Sequence, residues 1–307
     1  MLLRTILVFV FCIALTVTAS SQFKYANTSS VELPLSFDGN YLLAPVKIGK
    51  LETRFIVDTA AGGTVVSPVT RDALGFTEKD GQVVDVTGAG GQVKYQALEL
   101  DSFGVGQFLR PKFGVVVVDL DSLKKKPEQP YAGILGNNFL SDFDMEINLP
   151  ASKLRLYPHD AGGRAIIPKL DERSSVPNEA ESKGFIALKV FVEGKPVTAI
   201  LDTGATTSIL NWTAAKQAGV TTETRGLKRR DKGTGGLGSQ IADTYLYQFK
   251  QIKAGRTRFR TGEVRIADLA VFKTLGLGDK PAMLLGLDML KKHILFVSYS
   301  TKKLYFY

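Results

Sequence analysis

Cysteine and histidine are almost absent from this sequence. Its 307 residues include one cysteine, Cys12, and two histidines, His159 and His293. Since Cys12 lies in the N-terminal apolar segment, the rest of the chain has no thiol for a disulfide or a cysteine nucleophile. Two histidines far apart in sequence argue against a histidine-based catalytic triad and against a zinc site. The sequence therefore predicts neither a metal nor a cofactor.

Long apolar runs are also missing beyond the N-terminus. Arg4 gives a positive start, residues 6–17 are apolar, and Val17-Thr18-Ala19 offers small residues for cleavage. This pattern is typical of a secretory signal peptide, here residues 1–19. The run is short for a membrane span, and an uncleaved anchor is the alternative. An exported chain without disulfides fits a bacterial periplasm, so we expect a periplasmic or secreted protein.

Positive charge is in excess, but it is not concentrated. The formal net charge is +9, and the basic residues cluster only at Lys124-Lys125-Lys126 and Lys228-Arg229-Arg230. Neither cluster carries a motif that reads bases, so we expect no nucleic-acid partner.

An internal repeat organises the chain. Aligning Asp58 with Asp202 sets an offset of 202 − 58 = 144, and the flanking segments then follow without a gap. Further on the offset becomes 150, where Ile134-Leu135-Gly136 matches Leu284-Leu285-Gly286. We expect two copies of one unit, residues 33–157 and 184–307, joined by a Pro-, Gly- and charge-rich connector over residues 158–183.

Each unit has the pattern of a mainly β structure. Alternating residues predict a hairpin from strands 41–48 and 53–57 and another at the end of each unit. Short helices are predicted over residues 69–75 and 213–219, each ending at a glycine. The predicted fold is two homologous barrel-like lobes.

Each unit also ends an apolar strand in an acid. Phe55-Ile56-Val57 runs into Asp58-Thr59-Ala60-Ala61, and Ala199-Ile200-Leu201 runs into Asp202-Thr203-Gly204-Ala205. Because an unpaired buried charge is very costly, each acid needs a partner or a chemical role. With the paired apolar-apolar-Gly elements, the two segments resemble the lobes of retropepsin-like and pepsin-like aspartic proteases.

The resemblance implies a catalytic pair, Asp58 and Asp202, between the lobes. Two like charges at close range share one proton, so one carboxyl activates a water and the other protonates the scissile carbonyl. Hydrolysis should therefore peak below neutral pH, with no metal and no covalent intermediate. The residues leave open which Asp holds the proton.

The resemblance also assigns neighbouring roles. Thr59 and Thr203 would hydrogen-bond across the lobes and, with Ala60 and Gly204, support the active-site loops. The glycine-rich tips are candidate flaps over a substrate: Gly88, Ala89, Gly90 and Gly91, and Gly233, Thr234, Gly235 and Gly236. Two similar tips favour a fused retropepsin-like pair.

One position departs from the family pattern, because Ala60 stands where glycine is usual. If the position needs a positive φ, alanine costs about 1–2 kcal/mol; otherwise its methyl only narrows the cleft. The sequence therefore predicts a monomeric aspartic endopeptidase acting on a peptide or protein. The alternatives are a peptide-binding module that has lost catalysis, and a structural unit that pairs between chains.

Overall fold

The computed structural model describes residues 10–11, 29–88, 91–123, 131–160, 162–180, 185–235, 241–260 and 262–307. The signal peptide apart from Val10 and Phe11, and the flap residues Ala89, Gly90 and Gly236, lie outside the described residues. The described part is mainly β, and its two lobes repeat one arrangement of strands, which confirms the predicted fold class.

The N-terminal lobe is built on a nine-stranded sheet. Its short helices are Pro68–Ala73 and Asn137–Leu140, with a 3-10 turn at Asp121–Leu123. Across the sheet the strands lie in the order Val10–Phe11, Gln82–Gly88, Gly91–Val105, Phe108–Val117, Val65–Val66, Gly133–Leu135, Leu51–Val57, Tyr41–Ile48 and Ser36–Asp38.

The C-terminal lobe has a second nine-stranded sheet and a separate two-stranded hairpin, Thr234–Gly235 with Ile241–Ala242. Its helices are Trp212–Gln217, Ala270–Thr274 and Leu287–Leu290. The large sheet has the order Lys228–Arg229, Tyr245–Tyr247, Val264–Ile266, Ile209–Leu210, Ala282–Leu285, Lys195–Leu201, Ala187–Val192, Ile252–Ala254 and Thr257–Phe259.

In both lobes the strand that ends at the acid pairs in parallel with the apolar-apolar-Gly element. Leu135 lies opposite Val57 in one lobe, and Leu285 lies opposite Leu201 in the other. These central strands are covered on both faces, which explains why they read as continuous apolar runs rather than alternating ones.

The predicted short helices form with matching ends. Ser67 accepts a hydrogen bond from the Thr70 N–H at one N-terminus, and Asn211 accepts one from the Ala214 N–H at the other. Each helix is followed by a left-handed glycine, Gly75 and Gly219. Polar N-caps and C-terminal glycines are the usual stop signals, so local sequence determines these ends.

A third sheet of six strands joins the lobes. Its central pair is Phe143–Asn148 of the first lobe and Ile294–Ser298 of the second, which run antiparallel with Met145 opposite Val297. The order is Ser175–Pro177, Lys303–Phe306, Ile294–Ser298, Phe143–Asn148, Lys153–Pro158 and Val31–Pro34. The sequence predicted the two terminal hairpins but not their union. The segment read as a connector supplies an edge strand here, after a 3-10 turn at Glu172–Ser174.

The apolar core is continuous across the lobes. One large cluster includes Phe55 and Phe139 of the first lobe, Leu201 of the second, and Ile147 and Leu295 of the joining sheet. There are two smaller clusters, one around Tyr41 and Val116 of the first lobe and one that joins Ala60 of the first lobe to Ala205 and Ile209 of the second. In the described part of the chain, no helix has the length and apolarity needed to cross a membrane.

Candidate active site

Asp58 and Asp202 both stand where a central strand leaves its sheet. The Asp58 N–H donates to the Leu135 carbonyl at 3.1 Å, and the Asp202 N–H donates to the Leu285 carbonyl at 3.0 Å. Both side chains have no exposed surface. The parallel pairing therefore fixes the two acids at equivalent points of the two lobes.

The two carboxyl groups lie together at the lobe boundary, within hydrogen-bonding range of each other. A methyl group built on Gly204 would lie 2.3 Å from Cγ and Oδ2 of Asp58, so that carboxyl sits directly against the loop that carries Asp202. Each Oδ1 accepts a backbone N–H at 2.8 Å, from Ala60 and from Ala205. Each Oδ2 is buried and receives no hydrogen bond from the described residues. A single proton shared between the carboxyls would satisfy both orphan oxygens.

Burial raises the pKa of both acids. For Asp58 the N–H groups of Ala60 and Ala61 offset part of this increase. For Asp202 burial is reinforced by the Asp58 charge, and its pKa is raised well above 3.8 despite the Ala205 and Gly204 N–H groups. The bond between the carboxyls lowers the pKa of Asp58 and raises that of Asp202. Like charges at this range do not both ionise readily, so Asp202 is the better proton holder.

Thr59 and Thr203 cross-link the two acid loops. The Thr59 hydroxyl donates to the Leu201 carbonyl at 2.8 Å and accepts the Thr203 N–H at 3.1 Å. The Thr203 hydroxyl donates to the Val57 carbonyl at 2.7 Å and accepts the Thr59 N–H at 3.1 Å. All four bonds are buried and join one lobe to the other. A hydroxyl suits this position because it both donates and accepts.

The glycines of the apolar-apolar-Gly elements lie beneath the acid loops. A methyl group on Gly136 would lie 2.4 Å from the Gly63 carbonyl oxygen, and one on Gly286 would lie 2.8 Å from the Ala205 carbonyl oxygen. Only glycine permits this approach of backbone to backbone.

A polar pair behind each loop was missed from the sequence. Asn138 accepts from the N–H and hydroxyl of Thr64, and Asp288 accepts from the N–H and hydroxyl of Ser208. The Thr64 and Ser208 hydroxyls in turn accept the N–H groups of the two buried glycines, Gly136 and Gly286. The sequence did contain a signal for these pairs, because the two pairs occupy matching positions in the internal repeat.

The first lobe has an additional brace with no counterpart in the second. The Asn137 amide donates to the Thr59 carbonyl at 2.8 Å, and the Tyr299 hydroxyl donates to Asn137 Oδ1 at 3.0 Å. The matching residue of the second lobe is Leu287, which has no polar side chain. The Asp58 loop is therefore held from both lobes.

Ala60 fits its place without backbone strain. It is absent from the left-handed residues of the described chain, and it is 1% exposed in the same apolar cluster as Ala205 and Ile209. The position therefore does not need a positive φ, and alanine here has no backbone cost.

The two candidate flaps differ in build. Gly88 and Gly91 are paired at the tip of a long hairpin. Thr234 and Gly235 instead pair with Ile241–Ala242 in a two-residue ladder, and Thr234 is buried with its hydroxyl bonded to that of Thr244. In the described residues, then, the tips lack the similarity that the sequence suggested, because the second hairpin leaves the main sheet.

Tyr41 and Arg265 are buried and were not singled out from the sequence. Tyr41 is buried, packs edge-to-face on Tyr131 at 5.4 Å, and lies within electrostatic range of Arg265, Asp202 and Asp58. Burial raises its pKa above the usual 10.0, so it is a neutral phenol at the cleft. Among the described residues no group of His, Cys, Asp and Glu side chains is arranged to hold a metal ion.

Comparison with known proteins gives a structural neighbour and a family. A retropepsin-like aspartic protease from Rickettsia conorii, known from its crystal structure, is 19% identical over 42% of this chain and 89% of its own, with a TM-score of 0.32. None of the curated proteins matches this chain. The aspartyl protease family matches it twice, over residues 44–139 and again over residues 188–289. With one match around each acid, this chain belongs to the aspartyl protease family.

Proposed function

We propose that this chain is an aspartic endopeptidase that hydrolyses peptide bonds between Asp58 and Asp202. The observation that carries the proposal is the pair of buried carboxyls, each with one Oδ2 that has no hydrogen bond from the described residues. A buried acid pair of this kind is very costly unless it shares a proton, and a shared-proton pair is suited to general acid–base catalysis.

The geometry supports a division of roles. Asp58 is the charged base that takes a proton from the attacking water, and Asp202 donates its proton to the scissile carbonyl oxygen. Asp58 then passes the proton it took to the amide nitrogen, and a hydroxyl of the tetrahedral intermediate returns a proton to Asp202 as the C–N bond breaks, which yields a carboxylic acid and an amine. The cross-linking by Thr59 and Thr203 supports this role, because rigid placement of both acids lowers the reorganisation needed during the reaction.

The test is digestion of a diverse peptide pool by purified protein, with Asp202→Asn as the key variant. We expect wild type to release fragments and Asp202→Asn to lose at least about 10³-fold in kcat, since one acid of the pair can no longer donate. Asp101→Asn, at an exposed ion pair with Lys112, is the matched control and should cut normally. Unchanged cutting by Asp202→Asn would refute the proposal.

The pH profile tests the shared proton. Cutting should rise as Asp58 ionises and fall as the pair loses its last proton, which gives a bell-shaped profile. Since burial raises the pKa of Asp58 to about 7 and that of Asp202 well above 3.8, the maximum should lie in the range around neutral pH, higher than the sequence suggested. A rate that is flat across this range would contradict the mechanism.

The peptide-binding alternative predicts that peptides bind and remain intact. Because Ala60 carries no backbone strain, the observation that motivated this alternative does not disfavour catalysis. We further propose that the protein is exported and works as a monomer. Cell fractionation and sedimentation of the purified chain test these two points.

A further inference from the structure

One buried side chain of the second lobe is a cation without an ion-pair partner among the described residues. Arg265 is 6% exposed, and its Nη1 atom is buried with no hydrogen bond. Among the described residues its guanidinium forms no hydrogen bond or ion pair. A buried charge without a counterion is costly, so it is retained for a reason other than packing.

Comparison of the two lobes shows that Arg265 occupies a position that is apolar in the first lobe. Arg265 pairs in parallel with Ile209, and the equivalent residue of the first lobe, Val116, pairs in parallel with Val65. Val116 is fully buried within the apolar cluster around Tyr41. The two strand pairs are therefore alike except that one of them carries a guanidinium.

Arg265 lies on the strand beside the segment that follows the Asp202 loop. Its N–H donates to the Ser208 carbonyl at 3.4 Å, in the loop that follows Asp202. Its pairing partner Ile209 belongs to the same cluster as Ala60 and Ala205. Tyr41 is within electrostatic range of Arg265 and of both acids. Arg265 is therefore on the strand next to the one into which the Asp202 loop leads.

A second guanidinium lies nearby. Arg230 is half-buried, and its Nη1 atom is also buried without a hydrogen bond. Its N–H donates to the Thr244 carbonyl at the base of the candidate flap. Burial and then the charge of Arg230 lower the pKa of Arg265 to about 10, so the two cations repel each other.

The acids in this region do not neutralise the two arginines. Asp243 pairs with Arg229 at 3.2 Å, and Glu263 pairs with Lys228 at 2.6 Å, both at exposed positions. Asp288 is within electrostatic range of Arg265, but it is bonded to Ser208 and Met289 and forms no ion pair with any described residue. No described acid therefore forms an ion pair with Arg265 or Arg230.

We infer that Arg265 and Arg230 form a subsite for a carboxylate of the substrate, so that the enzyme prefers peptides with an acidic group near the cleaved bond. The inference rests on the proposed peptidase function and adds its substrate class. Arginine suits this task because its planar fork matches a carboxylate in two parallel hydrogen bonds. The carboxylate is either an Asp or Glu side chain or the free C-terminus of the peptide.

The test uses peptide pairs that differ only in Glu or Gln, swept through the positions around the cleaved bond. Each is made with a free C-terminal carboxylate and as an amide. We expect wild type to cut the Glu form at least about tenfold faster in kcat/KM at one position, as for a hydrogen bond to a charged group. Preference for the free-acid form alone would assign the same subsite to the C-terminal carboxylate. No preference in either series would overturn the inference.

Substitutions of the arginines test which side chains cause the preference for the Glu peptide. Arg265→Met should bring the Glu/Gln ratio to about one, and Arg230→Gln should lower it by less. Arg229→Gln, which breaks only an exposed ion pair, should keep the wild-type ratio. Because Arg265→Met removes an unpaired buried charge, it should melt at or above the wild-type temperature at neutral pH. A large drop in melting temperature, or an unchanged ratio, would overturn the assignment.

Binding separates this inference from the peptidase proposal. Fluorescence anisotropy with the same peptides, labelled and added to wild-type protein, should give about tenfold tighter binding for the Glu form. Tight and selective binding without cutting would refute the peptidase and support the subsite. Cutting of both peptides without a preference for the Glu form would support the peptidase and refute the subsite.

Discussion

At the scale of single residues, the two acid loops have the same design but differ at one methyl group. Gly204 has no room for a side chain, because a methyl there would overlap the Asp58 carboxyl. Ala60, at the matching position, already carries its methyl in a buried apolar environment and at an ordinary φ. The wall beside Asp58 is therefore fixed by glycine, whereas the matching position of the other loop tolerates alanine.

This difference predicts unequal effects for two matched substitutions. Gly204→Ala should lower kcat by about 10²-fold or more, because moving a reacting group by about 1 Å has an effect of that size. Ala60→Gly should keep activity within a few-fold and lower the free energy of unfolding by about 1 kcal/mol, from the greater freedom of the unfolded chain. Steady-state kinetics and urea unfolding measure both. Equal losses of activity would show that the methyl at position 60 is not tolerated as described.

At the scale of elements, each active-site loop owes its position to the other lobe. The loops follow strands fixed by parallel pairing, but their tips are held by the Thr59 and Thr203 hydroxyls, which bond to the backbone across the boundary. Asn137 and Tyr299 add a brace to the Asp58 side alone. Stability and catalytic geometry therefore depend on the same few buried bonds.

Replacing Thr59 tests this dependence. Thr59→Val keeps the shape of the side chain but leaves the Leu201 carbonyl and the Thr203 N–H unpaired, which should lower the free energy of unfolding by about 2–4 kcal/mol and reduce cutting. Thr59→Ser keeps the hydroxyl and serves as the control, with a loss of about 1 kcal/mol for one buried methyl. Urea unfolding followed by tryptophan fluorescence measures the difference. A valine variant as stable as the serine variant would contradict the cross-link.

At the scale of the whole molecule, the six-stranded sheet joins the two lobes into one structure. Its centre contains a buried acid, Asp144, which belongs to the first lobe. Asp144 accepts from Ser298 Oγ at 2.6 Å, Ser300 Oγ at 2.6 Å and the Ser300 N–H at 2.9 Å, all from the second lobe, and contacts His159 Nε2 at 2.9 Å. Burial raises the pKa of Asp144, but these hydrogen bonds outweigh it, so the pKa lies below 3.8.

Asp144→Ala should therefore destabilise the junction between the lobes. We expect a loss of about 3 kcal/mol or more, since several buried donors lose their acceptor. A lowered pKa stabilises the folded state above the unfolded value of 3.8, and this stabilisation is lost as pH falls through the folded value. The gap in melting temperature between wild type and variant should thus be constant near neutral pH and narrow below 3.8.

Differential scanning calorimetry at several pH values measures this gap. Glu146→Ala is the control, since Glu146 is on the same strand and forms no hydrogen bond or ion pair with the described residues. A gap that does not change with pH, or an equal loss for the control, would contradict the role given to Asp144.

The sequence by itself determined the duplication, the mainly β lobes, the helix ends and the two acids. These features are local or repeat at a fixed offset: apolar strands that end in an acid, polar caps and terminal glycines are all written in neighbouring residues. The sequence offset of 144 residues between Asp58 and Asp202 was enough to match the two loops. The family model matches the chain over the same two segments.

Only the tertiary structure decided how the two halves combine. The joining sheet, the added brace on the Asp58 side and the unlike flaps depend on pairings between residues more than a hundred positions apart or on a hairpin that leaves its sheet. The unpaired state of Arg265 is of the same kind. A charged residue within Val264-Arg265-Ile266 is visible in the sequence, but whether it has a counterion depends on where every neighbouring acid finds its own partner. The pairing of all these acids depends on the whole fold, so no single stretch of the chain determines whether Arg265 has a counterion.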